Sequence, residues 1–392
     1  MTRSVRLRAP IRDYAWGSTS LLATMRGSEP TKAPEAEMWL GAHPGAPSMV
    51  ETSAGELRLD DYISSDPMAR LGRRVHESFG RLPFLMKLLA AGRPLSLQAH
   101  PTVDRARSGF ERENAAGIPI DAAHRCYKDD NHKPELICAL TPFRALAGFR
   151  EPLESVAVLS SLDCAALRPA IEVLASEPGA DDLATLLRSV LTLPTPEAAD
   201  LARSVSAALD HEGDFPAVRS VGRFIAESFP DDPGVVTALL LNTIELAPGE
   251  AIYLGAGLLH AYIDGLGVEI MAASDNVLRG GLTPKHIDVD ELVGCLEFVT
   301  GPVELVESVS ETGAELRYIT PAPEFELACI DVAGSAAWVA DGPEILVVTD
   351  GNLTVDGDKY RPTDSAFLAS GVNCEVTGHG TVYVARVPRG TG

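Results

Sequence analysis

The sequence predicts a mainly β protein interrupted by an all-helical insertion, and three observations carry that reading. Short apolar runs separated by turn residues fill positions 1–150. An Ala/Leu/Ser-rich stretch with helical spacing follows, from about Glu151 to Pro230. From about Leu239 strands return at short intervals, as in EILVVTDGNLTVDG (344–357), SAFLAS (365–370) and TVYVARV (381–387). Many short strands with regular turns suit a sandwich or jelly roll. At 392 residues the chain is long for a single core. We therefore expect one discontinuous β domain over 1–150 and 236–300, a helical insertion over 151–235, and a second β domain over 301–392.

Within the first segment, LPFLMKLLAA (82–91) fits either a helical face or a buried strand. LSLQAHP (95–101) alternates as a strand, so Ser96, Gln98 and His100 share one face, and Pro101 ends it. LICALTPFRALAGF (136–149) reads as a strand, a turn at Pro142 and a second strand. In the insertion, Leu153, Val156, Val158 and Leu159 recur at helical spacing. So do Leu183, Leu186, Leu187 and Val190, and then Leu201, Val205, Ala208 and Leu209. Glu-Pro, Asp-Asp and Thr-Pro-Glu-Ala mark the helix starts, the last with Thr195 as cap. In the final segment Asp350-Gly351 and Asp356-Gly357 are hairpin dipeptides.

Composition narrows the function classes. The formal net charge of −22 is spread without a basic block, which disfavours nucleic acid and anionic membrane as partners. The six cysteines are scattered with no CxxC pair, so buried reduced thiols are expected rather than a metal ribbon or a disulfide framework. The N-terminal run MTRSVRLRAPIRDYAWG has no apolar signal core and no stretch reaches transmembrane length, so a cytoplasmic protein is expected. No GxGxxG or Walker loop supports a nucleotide fold.

Chemistry gathers in four places. Gln98 and His100 project together from an otherwise apolar strand. In NHKPEL (131–136), Glu135 leads into an apolar run and needs a counter-charge or a metal, and Lys133, two residues away, shares its face. Taken alone, this is also what a salt-bridged strand entrance looks like. LAPGEAIYLGAGLLHAYIDG (246–265) carries G-x5-G-x-G-x2-H ending at His260. This is similar to a metal motif of cupins, with Gly255 where proline is usual. GVEIMAASDNVLRGGLTPKH (267–286) holds Glu269, Asp275, Arg279 and Lys285, with Glu269 on the face opposite Val268 and Ile270. Gln98, His100, Glu135 and His260 together offer two nitrogen and two oxygen donors, a set that suits Zn²⁺ with a position left open. Lys87, Lys133 and Lys285 could form a cationic corner for a phosphate.

The segments YAWGS (14–18), AEMWLGAHP (36–44), LSLQAHP (95–101), YKDDNHKPEL (127–136) and VEIMAASDNVLRGGLTPKH (268–286) closely resemble the type I phosphomannose isomerases. The resemblance implies two cupin-like (jelly-roll) β domains, the first of them catalytic, plus an all-α domain. It implies one Zn²⁺ per chain on Gln98, His100, Glu135 and His260. It also implies an aldose–ketose isomerase interconverting mannose 6-phosphate and fructose 6-phosphate through a cis-enediol, feeding mannose metabolism and GDP-mannose synthesis. The family's active-site arginine falls on Arg279, and its other pocket positions on Trp16, Lys87, Ser96, Lys133, Glu269, Asp275 and Lys285. Glu269 is the expected base, because a carboxylate in an apolar strand has a raised pKa. Lys133 and Asp275 are expected to move protons at the sugar oxygens, and Ser96 with Lys87 or Lys285 to hold phosphate. His132 is placed in the pocket beside Lys133, whereas His43 and His286 are expected to make structural hydrogen bonds. The only partner expected is a small phosphorylated hexose, and the chain is read as a monomer. An iron-dependent oxygenase, an unrelated cupin epimerase and a non-catalytic sugar-phosphate binder are the competing readings. Iron with oxygen consumption would favour the first, and binding without turnover the last.

Overall fold

The computed structural model describes residues 3–52, 55–176, 179–310 and 313–389. Two ten-stranded sheets carry the β structure, and every strand pair in them is antiparallel. The helices lie mostly in one block, from Pro152–Ser161 to Gly234–Leu239. Its apolar stripes follow the spacing read from the sequence: Val158, Leu159, Leu183, Leu187, Val205 and Leu209 are all buried in one core. Leu153 is instead three-quarters exposed. Thr195 is the first helical residue rather than a cap, with Pro194 taking the cap position before Thr195–Leu209.

The first sheet runs through Glu315–Tyr318, Glu326–Val339, Asn373–Arg386, Glu344–Val355 and Ser365–Leu368. It continues into Val5–Arg8, Met49–Thr52 and Gly55–Arg58, strands from the opposite end of the chain. Val5 pairs with Phe367 and Leu7 with Ser365. The sheets therefore do not divide the chain at residue 301 as the sequence suggested. Asp356-Gly357 forms the expected two-residue turn, with φ of 49° and 90°. Asp350-Gly351 does not turn the chain; it lies inside Glu344–Val355, where the register shifts between Val348 and Asp350 as at a β-bulge.

The second sheet is built around the 13-residue strand His260–Ala272. Phe84–Ala91 pairs along its C-terminal half, so the ambiguous 82–91 segment is a buried strand. Glu37–Gly41 extends the sheet on the far side of Phe84–Ala91, and Glu135–Ala139 pairs on the other side of the central strand. Alternation sorts these side chains by face. Met38, Leu40, Met86, Leu88, Leu136, Cys138, Val268 and Ile270 pack in one core with Ile345, Val347 and Phe367 of the first sheet and with Phe325, just before one of its strands. Glu37, Trp39, Lys87, Glu135 and Glu269 point the other way, into a cleft.

The central strand changes phase along its length. Ala261 and Ile263 pack on the helical block, yet Leu266, Val268 and Ile270 pack on the first sheet. A register shift between Tyr262 and Asp264, together with Gly265 at φ +122°, takes up the extra residue. A Cβ at Gly265 would lie 2.7 Å from the Phe143 ring and 2.8 Å from the Pro142 carbonyl oxygen, so the bend requires glycine. Through this bulge His260, Tyr262 and Glu269 all face the cleft side although 260 and 269 differ by an odd number.

LSLQAHP is less regular than its alternation suggested. Only Gln98–Ala99 is strand. Leu95 N–H donates to the Tyr262 carbonyl and Leu97 N–H to the Gly281 carbonyl, so the segment is stitched between two others rather than held in one ladder. Leu97 and Ala99 enter the helical core, while Ser96 and Gln98 line the cleft.

Candidate active site and metal centre

Two buried histidines and a buried glutamate converge at the base of the cleft. Gln98 pairs on the backbone with His260 on one side and Arg279 on the other. His100 follows two residues later. The ligand atoms of His100, Glu135 and His260 lie within 4.8 Å of one another. His100 Nδ1 is 2.7 Å from the Asn276 carbonyl oxygen and His260 Nδ1 is 2.9 Å from that of Leu258. A carbonyl only accepts, so both Nδ1 atoms carry a proton, which leaves each Nε2 as the ring nitrogen that could bind a metal. Burial, reinforced by Lys133, pushes His100 down to about 4, which keeps its ring neutral.

Those two Nε2 atoms are buried without a hydrogen-bond partner. They sit 3.2 and 3.5 Å from the two oxygens of Glu135. Two buried ring nitrogens without hydrogen bonds, turned onto one carboxylate, are a donor set that a cation among them would satisfy. The residues therefore fit a metal ion. Two imidazoles, one carboxylate and the neighbouring Gln98 amide are the donor chemistry of Zn²⁺. The Nδ1–carbonyl bonds orient the rings as in known zinc sites. Glu135 is held well below the usual carboxylate range: burial opposes this, but Lys133 and His100 outweigh it. Lys133 Nζ lies 2.6 Å from Glu135 Oε1, so the salt-bridged entrance and the metal centre use the same carboxylate.

Above this centre a cross-strand row holds a second set of charges. Lys87 is directly opposite Trp39 on one neighbouring strand and Glu269 on the other. Its ammonium lies 2.8 Å from Glu269 Oε2 and 3.2 Å from Glu37 Oε1, and Trp39 Nε1 donates to the other Glu37 oxygen. Glu269 is raised, as the sequence suggested; burial raises it more than Lys87 lowers it. Burial disfavours charge on Lys87, but Glu269 and Glu37 outweigh it and hold the ammonium well above its ordinary range. Lys87 is thus committed to two carboxylates and is not a free cation. Tyr262 lies between the two centres, its hydroxyl 3.5 Å from Glu135 Oε2. Burial and the nearby Glu269 and Glu135 hold its phenol well above the ordinary value.

The cleft has a volume of about 600 Å³. Trp16, Ser96 and Lys133 line it together with Asp275, Arg279 and Lys285. Arg279, Lys285 and Lys128 make no ion pair among the described residues. Burial, then Arg279 and Lys128, lowers Lys285. The cationic corner without ion pairs is therefore Arg279, Lys285 and Lys128, with the Asp275 carboxylate near Lys128, rather than Lys87, Lys133 and Lys285. Asp275 receives His43 Nε2 at 3.1 Å, which holds its carboxyl below the usual range and gives His43 the structural bond expected of it. His132 does not line the cleft. Its Nε2 lies 2.7 Å from Glu324: Lys133 faces the cleft, so its neighbour His132 faces away from it. His286 also lies outside the cleft lining, edge-on to His124. Sequence reasoning missed Glu37, Trp39, Tyr262 and Lys128. Three of the four had signals: Glu37 and Trp39 alternate in AEMWLG, and Tyr262 is two residues from His260 on the same strand.

Comparison with known proteins points to one family. The profile of the catalytic domain of type I phosphomannose isomerases matches residues 5–152. Mannose-6-phosphate isomerase of Escherichia coli K12 is 41% identical over 379 residues, covering 94% of this chain and 96% of that protein. The Rattus norvegicus enzyme of the same name is 30% identical, with 89% of this chain and 88% of that one covered. Among solved structures, a lysine-to-alanine variant of phosphomannose isomerase from Salmonella typhimurium superposes with a TM-score of 0.91 at 37% identity, covering 99% of this chain and all of that one. A zinc-bound mannose 6-phosphate isomerase gives a TM-score of 0.90 with the same identity and coverage. Similarity of this extent, over both sheets and the helical block, shows that the chain belongs to the type I phosphomannose isomerase family of enzymes.

Proposed function

We propose that this chain interconverts mannose 6-phosphate and fructose 6-phosphate through a cis-enediol, with Glu269 as the base that moves the proton between C1 and C2. One observation carries the reading. A buried carboxylate of raised pKa shares a cleft with a His/Glu/His cluster that fits a metal and with a corner of cations that make no ion pair. Gln98, His100, Glu135 and His260 would hold one Zn²⁺, which supplies a Lewis-acid charge that organises the pocket and polarises substrate oxygens. Lys87 keeps the ionised Glu269 tolerable in a buried site, and Tyr262 is placed to donate to either carboxylate. Arg279 stabilises negative charge as the enediolate forms. Ser96 and Lys285 hold the phosphate, and Trp16 forms the wall against which the sugar lies. Lys133 and Asp275 move protons at the sugar oxygens during ring opening.

The domain reading follows the same family: a catalytic cupin-like domain, an all-α domain within it, and a second cupin-like domain without metal. To the last we add the three N-terminal strands that pair in its sheet. The product would feed mannose metabolism and GDP-mannose synthesis, in the cytoplasm, from a monomer.

A coupled isomerase assay tests the reading. Exhaustive chelation is expected to abolish interconversion, and stoichiometric Zn²⁺ to restore it. Full activity in a preparation verified as metal-free would remove zinc from the mechanism, and absence of interconversion in the zinc-loaded protein would remove the isomerase. Arg279→Ala is expected to lower kcat about 10²–10³-fold, the usual cost of losing one charge-stabilising donor. Near-normal turnover in a folded variant would take Arg279 out of the reaction.

A further inference from the structure

Asn276 does not line the cleft, yet it touches both of the cleft's binding centres through neighbours. It is fully buried, between His260–Ala272 and Leu278–Arg279. Its carbonyl oxygen accepts His100 Nδ1 at 2.7 Å, the bond that aims the His100 ring. Its side chain faces the opposite way, onto the loop 128–131. Asn276 Oδ1 accepts the backbone N–H of Lys128 at 2.7 Å and of Asp129 at 3.3 Å. Asn276 Nδ2 donates to the carbonyls of Asp129 and Asn131, each at 2.8 Å, and to Asp129 Oδ1 at 3.2 Å. Asp129 closes the unit by accepting Ser274 Oγ–H at 2.8 Å and Asp275 N–H at 2.7 Å.

Only a carboxamide satisfies this loop. It must accept from two N–H groups and donate to two carbonyls at once; a carboxylate cannot donate and an alanine does neither. The side chain of Lys128 is exposed and enters the cleft beside Lys285 and Arg279. A long flexible side chain has less freedom to lose on binding an anion when its backbone is already fixed.

We infer that Asn276 is a positioning residue that locks the ring of His100 and the backbone of Lys128 into one rigid unit, and that Lys128 is a phosphate-binding residue held in place by it. The inference rests on the isomerase reading for what the cleft binds. Its consequence is that one buried amide serves both metal affinity and anion affinity. Removing it frees the loop 128–131 and lets the 274–276 backbone, which carries the carbonyl on His100, relax.

Two titrations test this without using turnover. Zinc affinity is measured against a competing chelator, and affinity for inorganic phosphate by calorimetry on the zinc-saturated protein. Asn276→Ala keeps the backbone carbonyl on His100 and removes only its support, so it is expected to weaken zinc by up to about tenfold, the low end of the effect of disturbing a group that orients a ligand, and to weaken phosphate as well. Lys128→Met, an exposed change that leaves the loop bonded, is expected to weaken phosphate about tenfold with zinc affinity unchanged. If Asn276→Ala does not fold, Asn276→Asp replaces it: it keeps the acceptor for Lys128 but sets a second carboxylate against Asp129, and the same paired loss is expected. A folded Asn276 variant that binds zinc and phosphate as the wild type does overturns the positioning role. Unchanged phosphate affinity in Lys128→Met overturns the role of Lys128. Wild-type protein that binds neither probe overturns the isomerase reading beneath both.

Discussion

Glu269→Gln is expected to lower kcat by about 10²–10⁴-fold while KM and zinc content stay near those of the wild type, because it removes a general base and little else. The substitution is close to isosteric, and Glu269 is 2% exposed in a packed strand, so the cleft keeps its shape. Lys87 retains Glu37 at 3.2 Å and is not left unpaired. The pH profile gives an independent reading. The base must be ionised, and burial has raised Glu269 above the ordinary carboxylate value. Activity should therefore fall, as pH drops, at a higher pH than an exposed glutamate would give, and the residual activity of Glu269→Gln should lack that limb. Retention of more than a tenth of wild-type kcat by a fully zinc-loaded variant would transfer the proton step to Lys133 or Asp275.

Glu135→Ala should have the second large effect, on metal and fold together. Glu135 contributes the only carboxylate in the cluster, and it is also the partner of Lys133 at 2.6 Å. Its removal leaves two histidine lone pairs without an anionic co-ligand and one buried ammonium without a counter-charge. Breaking a buried pair from one side typically costs about 3–5 kcal/mol. Part of that is recovered here because Lys133 is at the cleft wall and can be hydrated. Metal analysis is expected to find little zinc at stoichiometric supply, the melting temperature to drop, and isomerase activity to fall at least ~10³-fold, as loss of both metal and its local order implies. Glu135→Gln separates the two effects, since it keeps the volume but loses the charge. A stoichiometric zinc content in Glu135→Ala would remove Glu135 from the ligand set.

How much of this the sequence disclosed depended on the range of the interactions involved. The helical block was legible because its burial repeats every three or four residues within one segment, as at Leu183, Leu187 and Val190. His100, Glu135 and His260 were legible because each is a polar residue in an apolar run of sequence, a local contradiction that calls for a partner. The pairing of Val5–Arg8 with Ser365–Leu368 left no such mark, since a strand edge does not encode which distant strand it meets. Lys87 looked like a free cation because its two carboxylates, Glu37 and Glu269, come from strands far apart in sequence. His132 was misplaced by adjacency: residue 133 faces the cleft, so its neighbour faces away, toward Glu324. Asn276 was invisible, being one polar residue among several in a loop.

The bulge at Tyr262–Gly265 makes chain length, not composition alone, a condition of chemistry. His260 and Glu269 belong to one continuous strand, and their sharing of a cleft depends on a parity fixed by one extra residue. Loss of a single residue there would leave hydrophobic content, charge and every motif intact. It would nevertheless turn the carboxylate into the apolar layer between the sheets, or else turn the metal ligand out. Gradual drift by substitution can pass through this segment, but insertions and deletions can survive only in pairs. Across relatives, the interval from metal ligand to base should thus be among the least variable lengths in the chain, even where the residues that fill it change.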